Sequence, residues 1–232
     1  MAVMAIRYPP GDPLHPQALK DKQRSLRDGF ATPLSLRVHR ALSWLTRAEA
    51  EDTDEDVRFV LLWIGFNAAY AGDVSLALGQ ESQRERDMFM RFFTTLVGFD
   101  SRHRLYDVVW QRFAQEIRVL LANRHVFAPF WLHHNGTPGF ADWRDRMERE
   151  THAIGAALRR HDTATLLSIL FGRLYVLRNQ LVHGGATWNS QVNRAQVRDG
   201  AAILGCLLPQ FIDLMMDNPG HDWPMPHYPV VE

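Results

Sequence analysis

Between Ala164 and Val182 the chain reads ATLLSILFGRLYVLRNQLV, and its apolar residues fall on nearly every side of a helical wheel. Leu166, Leu167, Ile169, Leu170, Phe171, Leu174, Tyr175, Leu177 and Leu181 leave only a narrow polar strip. A helix of this kind is stable only when neighbours, or a second subunit, enclose it on several sides. The chain must therefore supply other helices to surround it, which points to a packed helical bundle. Arg178 near its end is costly to bury unless the guanidinium finds a partner or faces a solvated cleft.

The rest of the chain supplies those neighbours. Thr32-Pro33 reads as a capping residue followed by Pro at the first helical position. From there Leu34, Val38, Leu42 and Leu45 recur at three- and four-residue steps to Arg47. The acidic run Asp54-Glu55-Asp56 suits the positive end of a second helix, whose Phe59, Leu62, Trp63, Phe66 and Tyr70 lead to a stop at Gly72. Further helices are expected over Glu81–Val97, Arg102–Leu121, Phe140–Arg160 and Asn193–Met216, the last kinked or divided at Pro209. Residues 123–139, with Pro129, Gly136 and Pro138, read as a long irregular connection. The expected organisation is an extended lead-in over 1–31 with a short helical turn around Gln17–Leu26, one helical domain over 32–218 and a Pro-rich tail over 219–232 ordered by packing Trp223 and Tyr228 on the body, with no strand pattern or repeat.

Composition narrows the chemistry. The 26 basic and 26 acidic residues cancel, so global charge makes no case for nucleic acid. A single cysteine, Cys206 in an apolar run, builds neither a disulfide nor a thiolate cage and reads as a small buried hydrophobe. His133 and His134 are adjacent, so they project apart, and no HExxH-like spacing accompanies them. No metal and no cofactor is expected. The N-terminus lacks the apolar core of a signal peptide, and Asn67 and Arg178 interrupt the best candidates for a membrane span. A cytoplasmic protein without membrane association is the expectation.

Arg178, Asn179 and His183 concentrate polar chemistry at the end of the apolar helix. Five residues correspond to a rotation of about 140°, so Arg178 and His183 share no face of a regular helix. Gly184 and Gly185 would have to let the last turn unwind for the two to meet. The segment RLYVLRNQLVHGG resembles the Arg-x4-His signature of the HEPN superfamily, in which a polar residue often follows the Arg, as Asn179 does here. RFVLLWIGFNAAYAG resembles the first core helix of its Apea-like branch.

This resemblance implies an all-α, HEPN-like four-helix core plus extra helices, dimerising through the motif helix. It further implies a metal-independent endoribonuclease in which Arg178, Asn179 and His183 of two copies meet in a shared cleft. Cleavage would proceed by 2′-hydroxyl attack, leaving a 2′,3′-cyclic phosphate. His183 would be base or acid, Arg178 the phosphate clamp and Asn179 an orienting group. Asn67 would support the motif or, alternatively, make a buried hydrogen bond that sets helix register. Implied partners are RNA, a second copy of the chain and a protein antitoxin or regulator, in a toxin–antitoxin, stress or phage-defence setting. The toxin branch carries Tyr two residues after the His, but Gly185 stands there, so regulation through that Tyr is not carried over. The alternative is a catalytically silent adaptor, or a module that binds RNA or nucleotide. Arg102, Arg104, Trp188 and Asn189 are weaker candidates for RNA contact, Trp188 by stacking on a base or instead by packing a dimer.

Overall fold

The computed structural model describes residues 7–70, 81–226 and 228. The described residues are helical almost throughout and include no strand. The elements are α1 (Pro16–Leu26), α2 (Thr32–Glu49), α3 (Glu55–Tyr70), α4 (Glu81–Phe99), α5 (Arg104–Asp107), α6 (Ala114–Ala122), α7 (Ala128–His134), α8 (Trp143–Arg160), α9 (Thr163–Val182) and α10 (Arg194–Asp217). The expected stop at Gly72 lies outside the described residues.

Local signals set most of these boundaries. Asp54 caps α3, its Oδ1 accepting from the N–H groups of Asp56 at 2.9 Å and Val57 at 3.0 Å. Asp162 caps α9 by accepting from Thr165 N–H at 3.0 Å. At α2 the cap differs from the expectation: Ala31 occupies the position and makes no side-chain bond, so Pro33 carries the start signal alone.

Three expectations are corrected. The helix read over Arg102–Leu121 is divided, with α5 passing into one π-type turn, Val108–Arg112, before α6 begins at Ala114. Residues 123–139 are not irregular: they contain a 3₁₀ turn, Arg124–Val126, and α7, whose Pro129 sits in its first turn. There a proline starts a helix instead of breaking one, because the first N–H groups need no intrahelical partner. Phe127, Phe130 and Trp143 give this segment a small core of its own, with Met147 packed against it. Finally, the short turn read at Gln17–Leu26 within the 1–31 lead-in is a full helix, α1, and Leu14 and Leu19 belong to the main core; Trp223 packs on that core as the reading of the tail expected.

The innermost element is α10. Every residue from Asp199 to Met216 is buried, against α1, α2, α3, α4 and α9. Small residues permit this close approach. A Cβ on Gly200 would lie 2.9 Å from the Phe59 ring, and one on Gly205 would lie 2.5 Å from the Arg58 guanidinium. Pro209 lies within α10, which stays one continuous element. Among the described helices, α10 is long and apolar enough to cross a membrane, and it is wholly enclosed by the bundle. Asp213 on α10 accepts from Lys22 of α1 and Arg104 of α5, both at 2.6 Å, and so fastens the peripheral helices to the centre.

Candidate functional site

The motif lies where α9 leaves the bundle. The helix stays regular to Val182: the His183 N–H reaches the Asn179 carbonyl at 3.0 Å. Gly184 then turns the chain with φ of 70°, a conformation glycine adopts without steric cost, and Ala186 N–H bonds back to Gln180 O at 3.1 Å. The expected unwinding does not occur. Arg178 is half-buried, His183 is exposed, and no hydrogen bond joins them.

Arg178 Nη1 donates to Asn179 Oδ1 at 2.9 Å, which is its partner among the described residues. No carboxylate among them pairs with it. Asn67 is half-buried on α3, and no hydrogen bond links it to Arg178. Arg104 is committed elsewhere, through its bond to Asp213. Asp213 lies twenty residues along α10 from Asn193, which borders the motif, so Arg104 is about 30 Å away. Arg102 is an exposed neighbour of Arg104 and shares that remoteness.

Trp188 and Asn189 do border the motif. The loop after His183 is pinned near its middle to the start of α3. Trp188 Nε1 donates to Asp54 Oδ2 at 2.6 Å, while the Asn189 N–H donates to Asp56 Oδ2 at 2.8 Å. Arg194 pairs with the other Asp56 oxygen. Asn189 takes a left-handed backbone with φ of 54°, a conformation asparagine tolerates. The indole itself remains 74% exposed, so hydrogen bonding anchors it while its face stays open to solvent.

Sequence reasoning missed Gln180, Arg124 and His125. The Gln180 amide donates to His125 O at 2.6 Å and accepts from Asn193 Nδ2 at 3.2 Å, joining the 3₁₀ turn, α9 and the following loop. Exposed Arg124 and His125 therefore flank the motif from fifty residues upstream. The RNQLVH run contains Gln180, but only folding reveals its partners. Val182, Trp131 and Val192 add exposed apolar surface on the segments that meet here.

Acid should release this loop. Partial burial of Asp54 opposes its charge. Hydrogen bonds from Val57 N–H, the Trp188 indole and Asp56 N–H outweigh that, with help from the nearby Arg194 charge, and hold its pKa below the ordinary aspartate value. A depressed carboxyl pKa contributes stability above the unfolded value of about 3.9 and loses it as pH falls through the folded value. The loop is expected to remain docked at neutral pH and to detach below about pH 4. The difference in emission between the protein and Trp188→Phe, followed during acid titration, reports it. A difference signal that stays flat until the whole chain unfolds would contradict the anchor.

The lining of this site offers no metal cage: among the described residues no three His, Cys, Asp or Glu side chains converge. Comparison with known proteins returns no matching family model, no matching curated protein and no matching solved structure.

Proposed function

We propose that the chain is a metal-independent endoribonuclease whose site forms from Arg178, Asn179 and His183 of two copies. The observation that carries this reading is the half-buried Arg178 guanidinium, held by a neutral amide and by no described carboxylate, on the same helix end as the exposed His183. A cation so held is available for a phosphate, which a fork-shaped guanidinium binds through paired hydrogen bonds. An imidazole is the side-chain type suited to proton transfer near neutral pH.

No hydrogen bond joins Arg178 to His183 within one chain, and the composite site draws on a second copy. Exposed Val182 and Trp188 next to the motif suit such an interface. Two imidazoles would then divide the work. One removes the 2′-hydroxyl proton and the other protonates the departing 5′-oxygen, while the arginines stabilise the charge that develops on phosphorus. Asn179, bonded to Arg178, orients the guanidinium. The resulting context would be toxin–antitoxin, stress or phage defence, with a protein regulator.

The test is cleavage of a defined structured RNA in EDTA by the wild type, His183→Ala and Arg178→Ala, with solution mass measured alongside. Loss of a catalytic acid–base group is expected to slow cleavage by about 10²–10⁴-fold while dimerisation persists. Products should carry a cyclic phosphate and a 5′-hydroxyl. Equal cleavage by all three proteins would place the activity elsewhere. A monomeric wild type that still cleaves would overturn the composite site. A dimer that binds RNA without cutting it would favour the silent module.

A further inference from the structure

A second site lies at the far end of α3 from the motif. Asp54 and Asp56, which anchor the motif loop, open α3, whereas Ala69 and Tyr70 close it, roughly 20 Å away along the helix. There a cavity of about 400 Å³ is lined by the first half of α2, the end of α3, the middle of α4 and the segment from His221 to Pro224. That volume is in the range of small-molecule sites. One face of α4 forms a wall, because Met88, Arg91, Phe92 and Thr95 recur at helical spacing.

The charged side chains lining this cavity are both arginines. Arg37, Arg91 and His221 line it, and no Asp or Glu does among the described residues. Arg37 is the unusual member. Only 1% of it is exposed, yet its partners among the described residues are carbonyl oxygens: Pro224 at 2.7 Å, Ala69 at 2.8 Å and Met225 at 3.5 Å. The other deeply buried arginines differ. Arg58 pairs with Glu49 at 3.0 Å and Arg173 with Glu150 at 2.9 Å. Burial pushes the Arg37 pKa down to about 10, so the guanidinium keeps its charge at neutral pH. A buried cation held by dipoles alone lacks the counter-charge that normally compensates its desolvation. Arg91 on the opposite wall is exposed and has no acidic partner among the described residues.

The rest of the lining is apolar and aromatic. Phe92, Tyr70 and Trp223 contribute rings, and the Trp223 ring is fixed by its indole bond to Asn218 O at 3.1 Å and by contact with His221. Converging cations on aromatic walls match one ligand chemistry: a charged oxygen group at one end and a flat apolar body at the other.

We propose that this cavity binds a small organic oxyanion with an aromatic or similarly flat group, its charge taken by Arg37 and Arg91 and its ring by Phe92 and Trp223. Binding would tie the His221–Pro224 segment to α2 and α4 and so stabilise the fold. The test is calorimetric titration of the full chain with phenyl phosphate, benzoate, inorganic phosphate and phenol, together with melting curves. Phenyl phosphate or benzoate should bind at least tenfold more tightly than phenol or inorganic phosphate and raise the Tm. Their order tells a phosphate ligand from a carboxylate ligand. Arg91→Ala, on an exposed position, should leave the unliganded Tm unchanged and weaken the tighter of the two about tenfold, while Arg37→Met should abolish binding. Should Arg37→Met fail to fold, the Arg91→Ala comparison and the phenol control still decide. Binding of phenol as tight as that of the anions, full affinity in Arg91→Ala, or no binding of either aromatic anion at millimolar concentration would overturn the proposal.

Discussion

Phe66→Ala is expected to lower the free energy of unfolding by about 3–5 kcal/mol, a large share of what a domain of this size possesses. Phe66 is fully enclosed, and its ring meets aromatic partners from α4, α9 and α10. Its centroid lies 4.4 Å from that of Phe171 on α9, 5.9 Å from Phe89 on α4 and 6.2 Å from Phe211 on α10. Tyr70, one turn along α3, stacks on it at 4.7 Å. Removing the ring takes away its transfer energy and leaves a cavity. The surrounding rings fill that space poorly, because each is held by others of the same cluster. Urea denaturation should show a lower midpoint with an unchanged slope. A loss below about 1 kcal/mol would mean that the cluster collapses freely and does not hold the four helices in register.

Glu150→Ala should cost a comparable amount, about 3–5 kcal/mol, through charge instead of volume. Arg173 on α9 is only 3% exposed and meets Glu150 Oε1 of α8 at 2.9 Å. Its guanidinium also donates to Leu121 O at 3.2 Å and covers the Phe127 ring at 4.4 Å. Burial lowers the Arg173 pKa, and Glu150 opposes that shift. Without Glu150 the cation stays in place with no carboxylate to compensate it. The double substitution Arg173→Met with Glu150→Leu should recover most of the loss, since replacing both charges by apolar groups removes the desolvation penalty along with the attraction. If the double variant were as unstable as Glu150→Ala, packing and not charge would be the cause.

Arg173 also shows how sequence and structure divide the information. On a helical wheel Arg173 and Arg178 are both anomalies in an apolar helix, and the resemblance of RNQLVH to a known signature drew attention to Arg178. Folding separates them. Arg173 finds a carboxylate from α8 and becomes part of the core, whereas Arg178 finds a neighbouring amide and keeps its charge available. Arg104, a weaker candidate for RNA contact, is engaged by Asp213 at the other end of α10. An arginine's role depends on which carboxylate reaches it, and those carboxylates are distant in sequence.

Helix positions depend on interactions within a few residues, so periodicity and caps placed α2, α3, α4, α8, α9 and α10 to within a few residues of where they stand. For the same reason the rotation between Arg178 and His183 could be read directly, and the regular end of α9 preserves it. Other features come from contacts that no local pattern encodes. α10 is more enclosed than α9 because its glycines admit Phe59 and Arg58, and α7 arises where Pro129 begins a turn over a small aromatic core. The setting of the candidate site belongs to this second group. Gln180 brings His125 to the motif, Asp54 and Asp56 hold Trp188 and Asn189 beside it, and three carbonyls gather around Arg37 at the opposite end of α3. The helices themselves were legible because their hydrogen bonds close over four residues; the sites were not, because each assembles groups that only the packed bundle brings within hydrogen-bonding range.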